Sequence, residues 1–251
     1  MSNDIGPILH GWDYAAGELR VRQVDGLDGK TKIQIRMDLG VMQMEWSDRP
    51  DGTRPHDTAS LLEYHQQQLA QHQGGVGSQP FRLSREECWA LSQEAMQYYW
   101  RRISFFEFKE YELAAADAEH NLSILDLCET YAEHDEDRQI ADQYRVFVTS
   151  HRIQAHALQH LEGKAHAEAL ETIRSGICEL EKVLRDQGDL DTEECTELRF
   201  LRDWEKEIEE SRPLSPREKL RVDLKAAVEG EQFELAATLR DRLRQMEQDQ
   251  R

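Results

Sequence analysis

The chain has 251 residues, of which 39% are hydrophobic and 32% charged, a balance that suits a soluble helical protein with a real core and excludes a disordered chain. The formal charge is −19, and from Leu214 to Arg251 eight Lys/Arg balance eight Asp/Glu, so residues 1–213 carry the whole acidic excess. A surface that acidic is repelled by a phosphate backbone, which argues against direct nucleic-acid binding and for a basic or neutral protein partner.

At the N-terminus Asp4 stands where a secretory leader carries positive charge, and no apolar run is long enough to span a bilayer, so a cytoplasmic location with no membrane association is expected. Residues 1–17 read as irregular chain. Strict alternation from Lys32 to Leu39 sets Ile33, Ile35, Met37 and Leu39 on one side of a strand and Lys32, Gln34, Arg36 and Asp38 on the other. Leu19, Val21 and Gln23 alternate before the turn residues Asp25 to Gly29, which predicts a β-hairpin. After Gly40 the apolar phase passes to Met42, Met44 and Trp46, as a bulge or bend at Gly40 would require.

Residues 47–57 form a loop dense in polar and turn residues. Arg49, Asp51, Arg54 and His56 are its candidate ligand-binding side chains, the two arginines offering bidentate donors to an anion; the alternative is an ordered surface loop whose arginines answer nearby acids. Ser60 and Glu63 then cap a helix over Leu61 to His72, and the glycines from Gly74 to Gly77 read as a linker and a domain boundary, not as a phosphate loop, since no Gly-Lys-Ser/Thr follows.

Ser84 and Glu87 form a second capping box, opening a helix rich in aromatic residues from Trp89 to Phe108. The stretch from Lys109 to Leu122 is echoed from Lys164 to Ile177, at an offset of 55 positions, each copy placing small alanines after a long amphipathic helix. Further helices are expected over Glu136–Leu161, Lys164–Arg185 with an end near Gly188, and Asp191–Glu210 with Asp191 and Glu194 as a capping pair. In the second copy, Ala157-Leu158, Leu161-Glu162-Gly163, Ala167, Ala169, Leu170 and Ile173 resemble a tetratricopeptide-type helix pair, which implies a helical array; an ordinary bundle is the other reading. Ser211 to Pro213 breaks the chain.

The last stretch is an αα-hairpin: Ser215, Pro216 and Glu218 start one helix whose stripe is Leu220, Leu224, Ala227 and Val228, Gly230 ends it as a left-handed cap, and a second helix carries Phe233, Ala236, Ala237, Leu239, Leu243 and Met246. Phe233-Glu234, Ala236-Ala237, Leu239-Arg240-Asp241 and Leu243, after Leu220 and Leu224, resemble the UVR motif found near the C-terminus of the excision-repair proteins UvrB and UvrC. In that family the hairpin docks proteins, pairing with a second such hairpin in a partner or in another copy of itself, and does no catalysis. The resemblance therefore implies a partner-binding set of Leu220, Leu224, Val228, Phe233, Ala236, Ala237, Arg240, Asp241 and Leu243. Gln232 departs from the family, which often has an apolar residue there.

Chemistry-bearing motifs do not stand out. His156 and His160 are four apart on one helix, but no carboxylate completes a metal set, and Cys88, Cys128, Cys178 and Cys195 are far apart in sequence and read as reduced thiols within helices. No metal, cofactor or catalytic residue is implied, and no Walker, dinucleotide-binding or nucleophile-elbow pattern occurs. The expected architecture is mainly α with a small N-terminal β-element, over residues 1–57, 58–77, 78–212 and 213–251. The expected function is a non-catalytic adaptor or scaffold; an accessory factor of excision repair acting at DNA, and a ligand-binding protein or enzyme using the Arg49 to His56 loop, are the alternatives.

Overall fold

The structure, a computed structural model, describes residues 4–74, 80–188, 194–213 and 216–249. It is mainly α-helical with one small antiparallel sheet near the N-terminus. In chain order the elements are α1 (Gly6–Leu9), β1 (Val21–Asp25), β2 (Thr31–Met37), β3 (Gly40–Glu45), α2 (Leu61–Gly74), α3 (Arg85–Glu107), α4 (Tyr111–Tyr131), α5 (Asp135–Glu162), α6 (His166–Asp186), α7 (Thr196–Ser211), α8 (Pro216–Glu229) and α9 (Phe233–Asp249). Among the described residues no helix is long and apolar enough to cross a membrane. The contacts divide the chain into two compact units, Met1–Glu205 and Lys206–Arg251, so the boundary falls inside α7.

The sheet has the order β1-β2-β3, with Ile33 opposite Gln23 and Met44, and Ile35 opposite Val21 and Met42. Ile33, Ile35 and Met44 are buried against Phe105 of α3, Ala114 and Ala115 of α4 and Ala155 of α5. Two expectations change here. Met37 pairs with Gly40, so the phase shift comes from a two-residue hairpin turn over Asp38 and Leu39, and no bulge is needed. Leu39 sits at the tip of that turn, 89% exposed, and takes no part in the apolar face.

The opposite face of the sheet is also covered, which alternation alone did not indicate. Lys32 and Gln34 are buried there, Lys32 Nζ donating to Asp28 (2.7 Å) and Glu45 (2.6 Å) and Gln34 Nε2 to Gln43 (2.8 Å). The N-terminal segment, which contains the short helix α1, reaches the same face: Arg22 lies 3.9 Å over the Trp12 ring and donates to Ile8 O, while Arg36 donates to Trp12 O.

Helices α3 to α6 pack each on the next in sequence. Ser84 and Glu87 make the reciprocal capping box at the start of α3. The link between α4 and α5 is pinned to the chain before α3, since Leu83 N donates to Tyr131 O and Glu133 N to Leu83 O. Asp135, Glu136 and Asp137 fill the first turn of α5, where the helix dipole favours negative charge.

The echo of 55 positions has a structural basis. At the end of α3, Lys109 N donates to Phe106 O and Glu110 N to Phe105 O; at the end of α5, Lys164 N donates to Leu161 O and Ala165 N to His160 O. Both turns are Schellman caps with a lysine in the left-handed region, φ 60° and 57°. Five residues beyond each lysine stands a fully buried alanine, Ala114 or Ala169, where the returning helix meets the first. At Gly176 α6 packs tightly on α5, for a Cβ there would lie 2.6 Å from Ile153 Cδ1 and Cγ2.

In the second unit α8 and α9 pack as a hairpin through the same cap, Glu231 N donating to Val228 O and Gln232 N to Ala227 O. The left-handed residue is Glu231, φ 56°, not Gly230 as the sequence suggested. The cap needs its left-handed residue one position past the glycine, and a Cβ on Gly230 would lie 3.2 Å from Ala226 O. The caps expected from Ser215 and Asp191, and most of the glycine linker after Gly74, lie outside the described residues. Helices α2 before that linker and α3 after it pack within the first unit.

Candidate functional site

The C-terminal hairpin separates its predicted docking residues into two sets. Ala227, Ala236 and Leu239 form its interior, with Leu220 and Leu224 packed against them and Leu243 buried further along α9. Ala236, Leu239, Leu243 and Met246 recur at helical spacing on that inward row. Four of the nine proposed partner-binding residues, Leu220, Leu224, Ala236 and Leu243, thus hold the hairpin together.

The others face outward or lie at its flank. Phe233, the first residue of α9, is 69% exposed, and Val228 near the end of α8 is exposed as well. Phe233, Ala237, Arg240 and Arg244 share one flank of α9 beside the inward row, with Ala237 half-buried and Arg240 hydrogen-bonded at 3.4 Å to the exposed Asp241. Val222 and Leu235 add further exposed apolar surface to the two helices. A phenylalanine at the head of a helix, outside an interior already filled by leucines and alanines, is surface that the hairpin does not use for its own folding.

The polar loop is built differently from a ligand grip. Arg49 is buried: its Nε donates to Glu94 (2.9 Å), and its Nη1 pairs with Asp51 (2.9 Å) and donates to Thr53 Oγ1. Burial raises the Asp51 pKa, but the Thr53 amide and hydroxyl, Arg49 and Gln97 outweigh it and hold the carboxyl below its usual range. Arg54 and His56 are exposed and apart from this pair, His56 stacking on Tyr64 at 4.0 Å with its backbone in the left-handed region. Of the four proposed ligand residues, then, Arg49 and Asp51 are brought together and already neutralise one another.

What holds Arg49 is Glu94, fully buried in α3, which sequence reading did not single out. Its Oε2 accepts from Arg49 Nε and Leu61 N (2.8 Å), and its Oε1 from Leu62 N (3.1 Å) and His120 Nε2 (3.1 Å). Glu94 therefore caps α2 from another helix, alongside Ser60, whose Oγ accepts from Glu63 N; Glu63 itself accepts from Ala59 N and so does not complete a box with Ser60. Burial raises the Glu94 pKa, but the His120 bond and the two amides more than offset it and hold the carboxyl below its ordinary value. His120 stacks on Tyr98 at 3.6 Å, and one turn along α3 Arg101 grips Asp117 of α4 through two bonds of 2.9 and 2.7 Å.

The signal for this network was in the sequence: Glu94 and Arg101 fall on the stripe Cys88, Leu91, Tyr98 and Phe105, and Asp117 and Asn121 on the stripe Ala114, Ala118 and Leu125. Ionisable residues on two apolar stripes that face each other announce a buried network. No comparable signal marks Cys88 and Cys128, which lie 40 positions apart yet share one apolar cluster between α3 and α4. His156 and His160 line an open groove between α5 and α6 with Glu171 and the ion pair Arg152–Glu179 (2.6 Å). Among the described residues, no three His, Cys, Asp or Glu side chains gather as a metal site requires. No family model matches the chain, and no curated protein or solved structure matches it.

Proposed function

We propose that the protein is a non-catalytic adaptor whose C-terminal hairpin docks on a second hairpin of the same kind, in another copy of this chain or in a partner, while the acidic helical body offers a separate surface. The observation that carries this reading is Phe233: 69% exposed, at the head of α9, on a flank beside an interior that is already complete. Buried aromatic anchors dominate interface energetics, and this one is positioned to become buried only on association. The compactness of Lys206–Arg251 as its own unit supports it, as does the resemblance of Phe233 to Leu243 to the UVR motif. The zero net charge of residues 214–251, which hold both helices of the hairpin, against an acidic remainder, leaves hairpin-to-hairpin pairing free of net repulsion.

The test is light scattering coupled to size exclusion on the full chain over a concentration series, beside Phe233→Ala and Ala237→Glu. A dimer that dissociates in both variants supports self-association. A monomeric parent directs the same pair of variants to a capture assay with the hairpin as bait, and binding that both variants leave unchanged overturns the reading.

A further inference from the structure

Two adjacent arginines of α3 have opposite surroundings. Arg101 has its guanidinium on Asp117, donates Nη1 to Asp48 O (2.6 Å) and lies 4.8 Å over the Tyr98 ring. Arg102 is 0% exposed, and its Nε, Nη1 and Nη2 are all buried without an acceptor among the described residues. Its guanidinium lies 5.5 Å over Tyr99. His151 of α5 lies within electrostatic reach of Arg102, and its Nδ1 is likewise buried and unpartnered. The His151 ring is 4.3 Å from Phe147 and 5.6 Å from Phe106, and Tyr99 and Phe147 are themselves 6.0 Å apart.

A buried guanidinium is tolerated where its charge is paired and its donors are used. Asp117 attracts Arg102 electrostatically, but its hydrogen bonds go to Arg101 and none of the Arg102 nitrogens reaches it. Burial pushes Arg102 down to about 10, and burial together with Arg102 pushes His151 down to about 4, so at neutral pH the pair carries a single positive charge. The cluster thus combines one cation, unused planar donors and apolar aromatic walls.

We propose that Arg102 and His151 form an internal receptor for a small organic carboxylate, with Tyr99, Phe106 and Phe147 as its walls. The chemistry selects this class in three ways. The guanidinium fork matches a planar carboxylate with two parallel bonds. One positive charge is balanced by a monoanion. Aromatic walls suit an anion with a hydrocarbon tail and disfavour strongly hydrated inorganic ions, and a cation is repelled by Arg102. The site lies wholly within the first unit, apart from the C-terminal hairpin, and does not depend on the docking proposed above.

The experiment is thermal unfolding of the full-length protein in increasing acetate or propionate, at ionic strength held constant with chloride. The expected result is a saturable rise, about 5–10 °C at a concentration a hundredfold above Kd, with no rise in Arg102→Met. No rise in the parent, or an equal rise in Arg102→Met, overturns the proposal. Should Arg102→Met not fold, Arg102→Lys keeps the charge and loses the fork: the carboxylate concentration for half the effect then increases at least tenfold, and an unchanged midpoint overturns the assignment.

Discussion

Replacing Glu94 by Gln tests whether one buried carboxylate organises the start of the helical body. Each of its oxygens accepts two bonds, Oε2 from Arg49 and Leu61 and Oε1 from Leu62 and His120, so whichever oxygen becomes an amide, two donors lose their acceptor and face an NH2 group. A buried donor left unsatisfied costs about 1–3 kcal/mol, and breaking a buried charge pair costs about 3–5 kcal/mol. Arg49 retains Asp51 at 2.9 Å, which limits the loss, so the expected destabilisation is about 3–5 kcal/mol, or roughly 10 °C in Tm. Urea unfolding followed by far-UV circular dichroism measures it, and hydrogen exchange at the Leu61 and Leu62 amides localises it to the start of α2. The control is Glu63→Gln, half-buried beside the same helix start, expected to cost under about 1 kcal/mol. The folded-state pKa of Glu94 lies below the unfolded value of about 4.3, so its contribution is complete above that value and disappears as the pH falls through the folded one. The parent accordingly loses stability more steeply below about pH 4.3 than Glu94→Gln does. A variant within about 1 kcal/mol of the parent at neutral pH, with unchanged exchange at Leu61 and Leu62, refutes the reasoning.

Gly176→Ala places a methyl 2.6 Å from Ile153 atoms on a stiff β-branched side chain, so overpacking of about 1–3 kcal/mol outweighs a helix-propensity gain of about 1 kcal/mol, and the variant is less stable. In an Ile153→Ala background the same change becomes stabilising; destabilisation of equal size in both backgrounds, read from urea midpoints, rejects the contact as its cause. His151 is held neutral down to about pH 4 by burial and by Arg102, so its contribution is present above the unfolded pKa of about 6.5 and is lost as the pH falls toward 4. In carboxylate-free buffer, His151→Gln flattens the stability profile between those values by about 3 kcal/mol, and parallel profiles for the two proteins dismiss it. Phe233→Ala weakens hairpin association at least tenfold without changing the helix content of the chain, as scattering and circular dichroism report.

The helices were legible in the sequence because their signals are local. Ser84 and Glu87 are three residues apart and close on one another in the structure, and the alanines after Lys109 and Lys164 meet the preceding helix within one short turn. The features that escaped notice depend on chain brought from elsewhere. Lys32 and Gln34 alternate as solvent-facing residues do, and only the N-terminal segment and the neighbouring strands make their face a buried one. Arg49 reads as an available anion donor until Glu94, 45 positions away, is placed against it. Leu39 kept the alternation of its strand but fell in the turn, where pattern carries no information about burial. In the hairpin, spacing gathered the apolar positions of both helices but did not separate those that face inward, so Leu220, Leu224, Ala236 and Leu243 stand among the expected docking residues; the exposure of Val228 and Phe233 is what marks the outer flank.

The cap that recurs at Lys109, Lys164 and Glu231 has a consequence for how the chain acquires its structure. Each helix pair it joins is closed within about 30 to 55 residues of continuous sequence, so little loop entropy opposes its first contacts. Since α4 packs between α3 and α5, and α5 between α4 and α6, each pair can serve as a template for the next, and order spreads along the array as a zipper closes. Protection against hydrogen exchange should then be highest in the middle of the array, in α4 and α5, and decline toward α6, a gradient drawn by connectivity before any single side chain is considered.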